Sequence, residues 1–431
     1  MKPVIFSQVE ETLYHEQLDN GLSIYVLPKS EFNKTYATFT TKYGSIDNHF
    51  KPIGEENKLK VPDGIAHFLE HKMFEDEHGD VFQQFSKQGA SANAFTSFTR
   101  TAYLFSSTLN VEENLETLVD FVQHPYFTEE SVEKEKGIIN QEITMYDDNP
   151  DWRAYFGVIS NMFHQHPVKI DIAGTIDSIA TITKDLLYTC YQTFYHPSNM
   201  LLFVVGPVDP EQIIEQVKTN QQKKEFAKPE DIKRFFDQEP DSVAKDKEIL
   251  TMSVQTPKCL MGFKDVGVDR QGKELLKREL TISILLDLMF GQSSDHYQQL
   301  FAEGLIDDSF SFDYSAENGF GFSVIGGDTS KPDQLEKRIK EMITAFKESS
   351  LSKEQVNRTI KKKIGSFLRS LNSPEFIANQ FTRYQFNDMN LFDVVTTLEE
   401  VTISDLEQVL QEHFDFGRFT VFQVKSEGYQ E

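Results

Sequence analysis

The sequence predicts a protein of two related halves, each mixing helices with strands, and three observations carry that expectation. The first is an internal repeat. Phe82-Gln83-Gln84 to Gly89 recurs as Tyr297-Gln298-Gln299 to Gly304, an offset of 215 in a chain of 431 residues. The segments beginning at Asn93 and at Asp308 both run into alternating, strand-like residues. The second is length, since 431 residues are long for a single core. The third is a polar stretch between the halves, rich in Lys, Glu, Asp and Gln and broken by Pro229 and Pro240. The expected division is therefore 1–220, a linker over 221–249 that is partly helical, and 250–431.

Within the first half, His67-Phe68-Leu69-Glu70-His71 is the segment richest in chemistry. Pro62, Asp63 and Gly64 predict a helix start, with Asp63 able to cap. With Ile65 at zero and steps of about 100°, Phe68, Leu69 and Met73 fall within about 80° of it. His67, Glu70 and His71 fall at about 200°, 140° and 240°, a single polar arc. Two imidazoles four residues apart can clamp one ion, and Glu70 stands beside them. Neutral imidazoles with a carboxylate are the usual ligands of a catalytic zinc that keeps one position open. The order H-x-x-E-H is the inverzincin signature.

A second helix is predicted over 128–146, with Val132, Ile138, Ile139, Ile143 and Tyr146 at helical spacing. Glu135 and Glu142, seven residues apart, fall together inside that apolar stripe. Carboxylates facing a core require pairing or a metal. Glu129, Glu130 and Glu133 instead complement the helix dipole in and near the first turn. Spacing alone does not choose between Glu135 and Glu142 as a ligand.

Composition narrows the function. A formal net charge of −25 argues against a nucleic-acid partner and points to cationic ligands. No run approaches the roughly eighteen apolar residues of a membrane helix. The segment MKPVIFSQVEETLYHEQLD lacks the apolar core of a secretory signal. Cys190 and Cys259 are the only cysteines and form no disulfide framework or metal motif. A reducing, cytoplasmic setting is the expectation.

H-x-x-E-H followed some seventy residues later by E-x6-E resembles the insulinase/pitrilysin (inverzincin) zinc peptidases, in size closest to the bacterial processing-peptidase-like members. The flanks agree: Asn20-Gly21-Leu22, Gly44-Ser45, Gly64-x-Ala66, Gly89-Ala90, Asn93-Ala94-x-Thr96-Ser97, His166-Pro167, Gly174-Thr175, Tyr195-x-Pro197-x-Asn199 and Val204-Val205-Gly206. The resemblance covers the first half almost continuously. It implies an α+β fold, two related halves each with a mostly antiparallel sheet packed with helices, facing each other like a clamshell around a chamber. It also implies that Glu142 is the third ligand of one zinc ion per chain, with Glu135 the supporting acid behind it. Asn93 and Ala94 would lie on the strand that pairs with a peptide substrate.

The second half departs from this pattern. The offset carries His67, Glu70 and His71 to Ile282, Leu285 and Leu286, which pack but cannot bind zinc. The segment 352–370 is basic, with Arg358, Lys361, Lys362 and Lys363 and no E-x6-E. Where related chains carry an arginine and a tyrosine that reach the bound peptide, this one has Asp295 and Asp307. Neither acid can donate those hydrogen bonds. The expected activity is zinc-dependent endopeptidase hydrolysis with Glu70 as base. The expected partner is a paralogue lacking zinc ligands but carrying the Arg/Tyr segment, with a homodimer as the other pairing. The competing class is a non-catalytic assembly subunit that keeps the fold.

Overall fold

The computed structural model describes residues 1–77 and 79–430. Two compact units emerge among the described residues: the first holds 1–143, 171–236 and 370–386, and the second holds 144–170, 237–369 and the chain from 387 onward. Each is an α+β unit built on a mostly antiparallel sheet.

The first unit contains β1 (Lys2–Phe6), β2 (Glu11–Gln17), β3 (Ser23–Pro28), β4 (Thr35–Thr41), β5 (Ala90–Thr96), β6 (Thr101–Ser107) and β7 (Met200–Gly206). Their order across the sheet is β1-β2-β3-β7-β4-β6-β5. Only the β3–β7 pair is parallel. Met200–Gly206 reads MLLFVVG and is buried throughout, as befits a central strand covered on both faces. β5 lies at the edge, where its residues are half-buried or exposed.

The second unit contains β8 (Lys247–Thr251), β9 (Lys258–Lys264), β10 (Ser311–Glu317), β11 (Phe320–Asp328) and β12 (Phe419–Lys425). Their order is β8-β12-β9-β11-β10, with only β8–β12 parallel. That is the order β3-β7-β4-β6-β5 of the first unit, strand for strand. The sequence repeat is thus a repeat of topology.

Six helices flank these sheets at the points that shape the site and its counterpart: α1 (Ile65–Lys72), α2 (Glu129–Asp147), α3 (Pro150–Met162), α4 (Gly272–Phe290), α5 (Lys353–Ser370) and α6 (Pro374–Phe386). α1 packs against β5 and β6. The units do not follow chain order. α3, from the first half of the chain, lies on β12 and β9, whereas α6, from the second half, lies on the equivalent strands β7 and β4. On α6, Phe381 meets Tyr25 at 4.9 Å and Phe203 at 4.6 Å between ring centroids. A division at 220 and 250 is therefore interrupted by two exchanged helical segments.

The linker also differs from expectation. No helix occurs between Gln222 and Gly272 among the described residues. Instead Lys233–Arg234 pairs with His49–Lys51, and Arg234 Nε donates to buried Asp47 at 2.6 Å. Further on, the Glu239 carboxylate accepts the backbone N–H groups of His164, Gln165 and His166 at 2.6–2.8 Å, and buried Lys264 donates to it as well. Charged side chains thread this segment onto ordered backbone, so a polar composition here marks anchored chain.

Candidate metal centre

Gly64 turns the chain into α1 at φ +86°, a left-handed conformation that favours glycine. A Cβ there would also meet the Ala173 carbonyl oxygen at 2.4 Å. Asp63 does not cap the helix. Its side chain accepts from Asn48 Nδ2 and its carbonyl from Ser178 Oγ, both at 2.8 Å, which ties the helix entrance to two other segments. A helix of eight residues is marginal by itself. Ile65, Phe68, Leu69 and Met73 hold it by burial, each contributing about 1.5–3 kcal/mol.

With that arc buried, the other turns toward α2. His67 Nε2 stands 3.7 Å from Glu142 Oε1, and His71 Nε2 stands 3.5 Å from Glu142 Oε2. One donor atom from each of the three residues lies within 4.8 Å of the others, the one such group among the described residues. Tetrahedral zinc with bonds of about 2.0–2.2 Å needs donor separations of roughly 3.3–3.6 Å. The two histidine–glutamate spacings, each to a different Glu142 oxygen, lie within a few tenths of an ångström of that range. The three side chains are 11%, 26% and 21% exposed, so the centre is open to solvent. Donor chemistry and spacing both fit a zinc ion.

The geometry separates the two acids of α2. Glu142 faces both imidazole Nε2 atoms, whereas buried Glu135 lies behind His71 and takes its Nδ1 at 3.1 Å through Oε1. With the Glu135 carboxylate accepting from Nδ1–H, the Nε2 atom is the one available to a metal ion beside Glu142. Of the apolar stripe, Val132, Ile139 and Ile143 are buried, but Ile138 is 45% exposed.

Electrostatics distinguish the residues further. Burial, with the charge of His71, lowers the His67 pKa to about 4, against the attraction of Glu142 and Glu135. Burial works against protonation of His71 too, but the Glu135 hydrogen bond and the charges of Glu70, Glu142 and Glu135 outweigh it and raise its pKa. Burial raises the pKa of Glu70, partly offset by a hydrogen bond from Thr96. His67 Nδ1 is buried without a hydrogen-bond partner among the described residues.

Two residues without an assigned role in the sequence enter here. Thr96, at the end of β5, donates through Oγ1 to Glu70 Oε2 at 2.7 Å. Lys72 is fully buried beside Glu75 and Glu135. A signal for Lys72 was available: on the α1 wheel it falls at about 340°, inside the apolar arc, where a lysine needs a partner. Thr96 gave none, because its contact spans 26 positions. Asn93 and Ala94 lie on edge strand β5, opposite Leu104 and Tyr103 of β6. Asn93 is exposed and Ala94 half-buried.

In the second unit Ile282, Leu285 and Leu286 are buried on α4. Asp295 occupies the first turn of the helix Asp295–Ala302, which Ser294 caps, and Asp307 accepts the Ser309 N–H and hydroxyl. A catalytic-looking relay also lies there: Ser323 Oγ meets His413 Nε2 at 2.9 Å, and His413 Nδ1 meets Asp265 Oδ1 at 3.1 Å. Ser323 and His413 are completely buried, and Arg278 and Tyr314 also bind Asp265. It is a satisfied core network rather than a nucleophile.

Comparison with known proteins agrees with this fold. The family model described as insulinase (peptidase family M16) matches residues 54–176, and the peptidase M16 inactive-domain model matches 181–363. The uncharacterized zinc protease YmfH of Bacillus subtilis is 62% identical over 424 residues, covering 98% of this chain and 99% of its own. The crystal structure of an M16-like peptidase from Alicyclobacillus acidocaldarius superposes with a TM-score of 0.94 at 40% identity, covering 97% of this chain and 99% of that one. A peptidase M16 inactive domain from Pseudomonas fluorescens shares the fold, with a TM-score of 0.80 at 14% identity over 97% of this chain and 99% of its own. The chain belongs to the insulinase family, peptidase family M16.

Proposed function

We propose that the chain is a zinc-dependent endopeptidase acting on peptides or small unfolded polypeptides, and that it is the metal-carrying member of a heterodimer. The convergence of His67, His71 and Glu142 beside a buried carboxyl, Glu70, is the observation that supports this most strongly. His67, His71 and Glu142 would hold the ion, and bound zinc supplies Lewis acidity toward water and the scissile carbonyl.

The chain's own residues do the rest. Glu70, anchored through Oε2 by Thr96, uses Oε1 to take a proton from the attacking water and return it to the leaving amine nitrogen. Burial raises its pKa, which favours its holding the transferred proton. Glu135 holds the His71 ring and its tautomer. The edge of β5 at Asn93 and Ala94 receives the peptide by strand addition, a mode tolerant of sequence. Asp295 and Asp307 supply neither the arginine nor the tyrosine expected of related chains, which supports a paralogue as partner. We further place the chain in the cytoplasm, supported by two unpaired, buried cysteines.

Glu70→Gln tests the reading. It should keep zinc and lose about 10²–10⁴-fold in peptide cleavage, because only the proton-transfer group is removed. Normal cleavage by this variant would show the base assignment to be wrong. Zinc without cleavage in the wild type, even with its partner, would favour a scaffold subunit, the alternative that the inactive-domain match to 181–363 keeps in view.

A further inference from the structure

Lys72 succeeds the second histidine of the motif and lies about 100° further round the helix. It has no solvent exposure, and an ammonium so placed is expensive unless paired. Its Nζ donates to Glu75 Oε2 and lies 4.0 Å from Glu135 Oε2. The other Glu135 oxygen, Oε1, holds His71 Nδ1 at 3.1 Å. Lys72, Glu135 and His71 therefore form one chain of contacts that ends at the Nε2 atom facing Glu142.

We propose that Lys72 is a positioning residue of the metal centre: its ammonium fixes the Glu135 carboxylate and, through it, the orientation and tautomer of His71. The proposal rests on the assignment of His67, His71 and Glu142 as zinc ligands.

The repeat supplies an independent comparison. The offset of 215 carries Lys72 to Asp287 of α4, which is buried and binds Lys362 of α5 at 2.8 and 3.1 Å. α4 and α5 stand in the second unit where α1 and α2 stand in the first. From this one position of the first helix, each unit reaches an oppositely charged residue of the second, Lys72 to Glu135 at 4.0 Å and Asp287 to Lys362 at 2.8 Å, with the signs reversed. In the second unit the neighbouring residue is Leu286, so the pair ends as a clip between helices. In the first, the acid of the pair has a second oxygen and uses it on a histidine. A clip alone accounts for an ion pair, but not for its acid being shared with His71.

This difference separates positioning from a purely structural role. The full-length protein would be titrated with zinc against a chromophoric chelator, comparing wild type, Lys72→Met, Lys72→Arg, Glu135→Gln and the Lys72→Met/Glu135→Gln pair. Melting in excess chelator would report the fold separately. Lys72→Met should weaken zinc binding by about tenfold, the lower end for outer contacts of a metal site, and shift the visible spectrum of the cobalt-substituted protein. Lys72→Arg should restore most of the affinity. In the Glu135→Gln background Lys72→Met should change it less than about twofold, because the group it acts through is gone.

Glu75→Gln frees the ammonium for Glu135 and should bind zinc no more weakly than wild type. It decides the matter if Lys72→Met fails to fold, since weaker binding there would refute the proposal. Unchanged zinc affinity in Lys72→Met, or an equal loss with and without Glu135, would also overturn it. A wild type that binds zinc but shows such a flat cycle refutes the role of Lys72 alone. A wild type that binds no zinc removes the zinc reading and this proposal together.

Discussion

Replacing each acid of α2 by its amide should separate ligand from support. Glu142 lies 3.5 and 3.7 Å from the two imidazole Nε2 atoms, so Glu142→Gln exchanges an anionic donor for a weak amide oxygen. Apparent binding energies of about 10–16 kcal/mol for four-ligand structural zinc sites correspond to roughly 2.5–4 kcal/mol per ligand. Losing one ligand therefore predicts about a 100- to 1000-fold weaker affinity. Glu135 touches the centre through its 3.1 Å bond to His71 Nδ1. A hydrogen bond to a charged group contributes about 1.5–3 kcal/mol and a neutral one about 0.5–1.5. Glu135→Gln keeps an acceptor, so its loss is the difference, about 1–1.5 kcal/mol or roughly tenfold. Chelator competition at one fixed pH measures both constants, and metal content after dialysis gives the stoichiometry. A loss in Glu135→Gln equal to or larger than that in Glu142→Gln would refute the assignment of the third ligand.

The same structure sets other expected outcomes. A homologue of the family that lacks zinc ligands but carries the Arg/Tyr segment should co-purify with the chain and raise its turnover more than its zinc content. Full activity of the single chain, unstimulated by any such homologue, would remove the heterodimer. Burial works against ionisation of Glu239, but the Lys264 bond and three backbone N–H groups outweigh it and lower its pKa. Its stabilising contribution is therefore complete above the ordinary value of 4.5 and is lost as pH falls below it. Glu239→Gln should flatten the acid limb of a urea-denaturation series below about pH 4.5, and an unchanged slope would count against the nest of N–H groups. A fragment of residues 1–236 should fail to unfold cooperatively by circular dichroism because it lacks α6. Phe381→Ala in the full chain should cost about 3–5 kcal/mol of stability for the same reason.

Helical periodicity made the arc of His67, Glu70 and His71 legible, because the side chains involved are close in sequence and a helix sets their directions. The repeat at offset 215 likewise announced two units and the loss of metal-binding residues from the second. Composition failed at the linker, where polar residues turned out to be anchored by Asp47, the backbone at 164–166 and Lys264. Periodicity also left Glu135 and Glu142 equivalent, since both lie on one stripe, and only the packing of α2 against α1 sets one before the imidazoles and the other behind them. The bonds from Thr96 to Glu70 and from His71 to Glu135 join residues 26 and 64 positions apart. Exchange of α3 and α6 between the units is invisible for a related reason. An amphipathic helix displays the same pattern whichever sheet covers it, so the choice of partner belongs to tertiary packing and not to the local sequence.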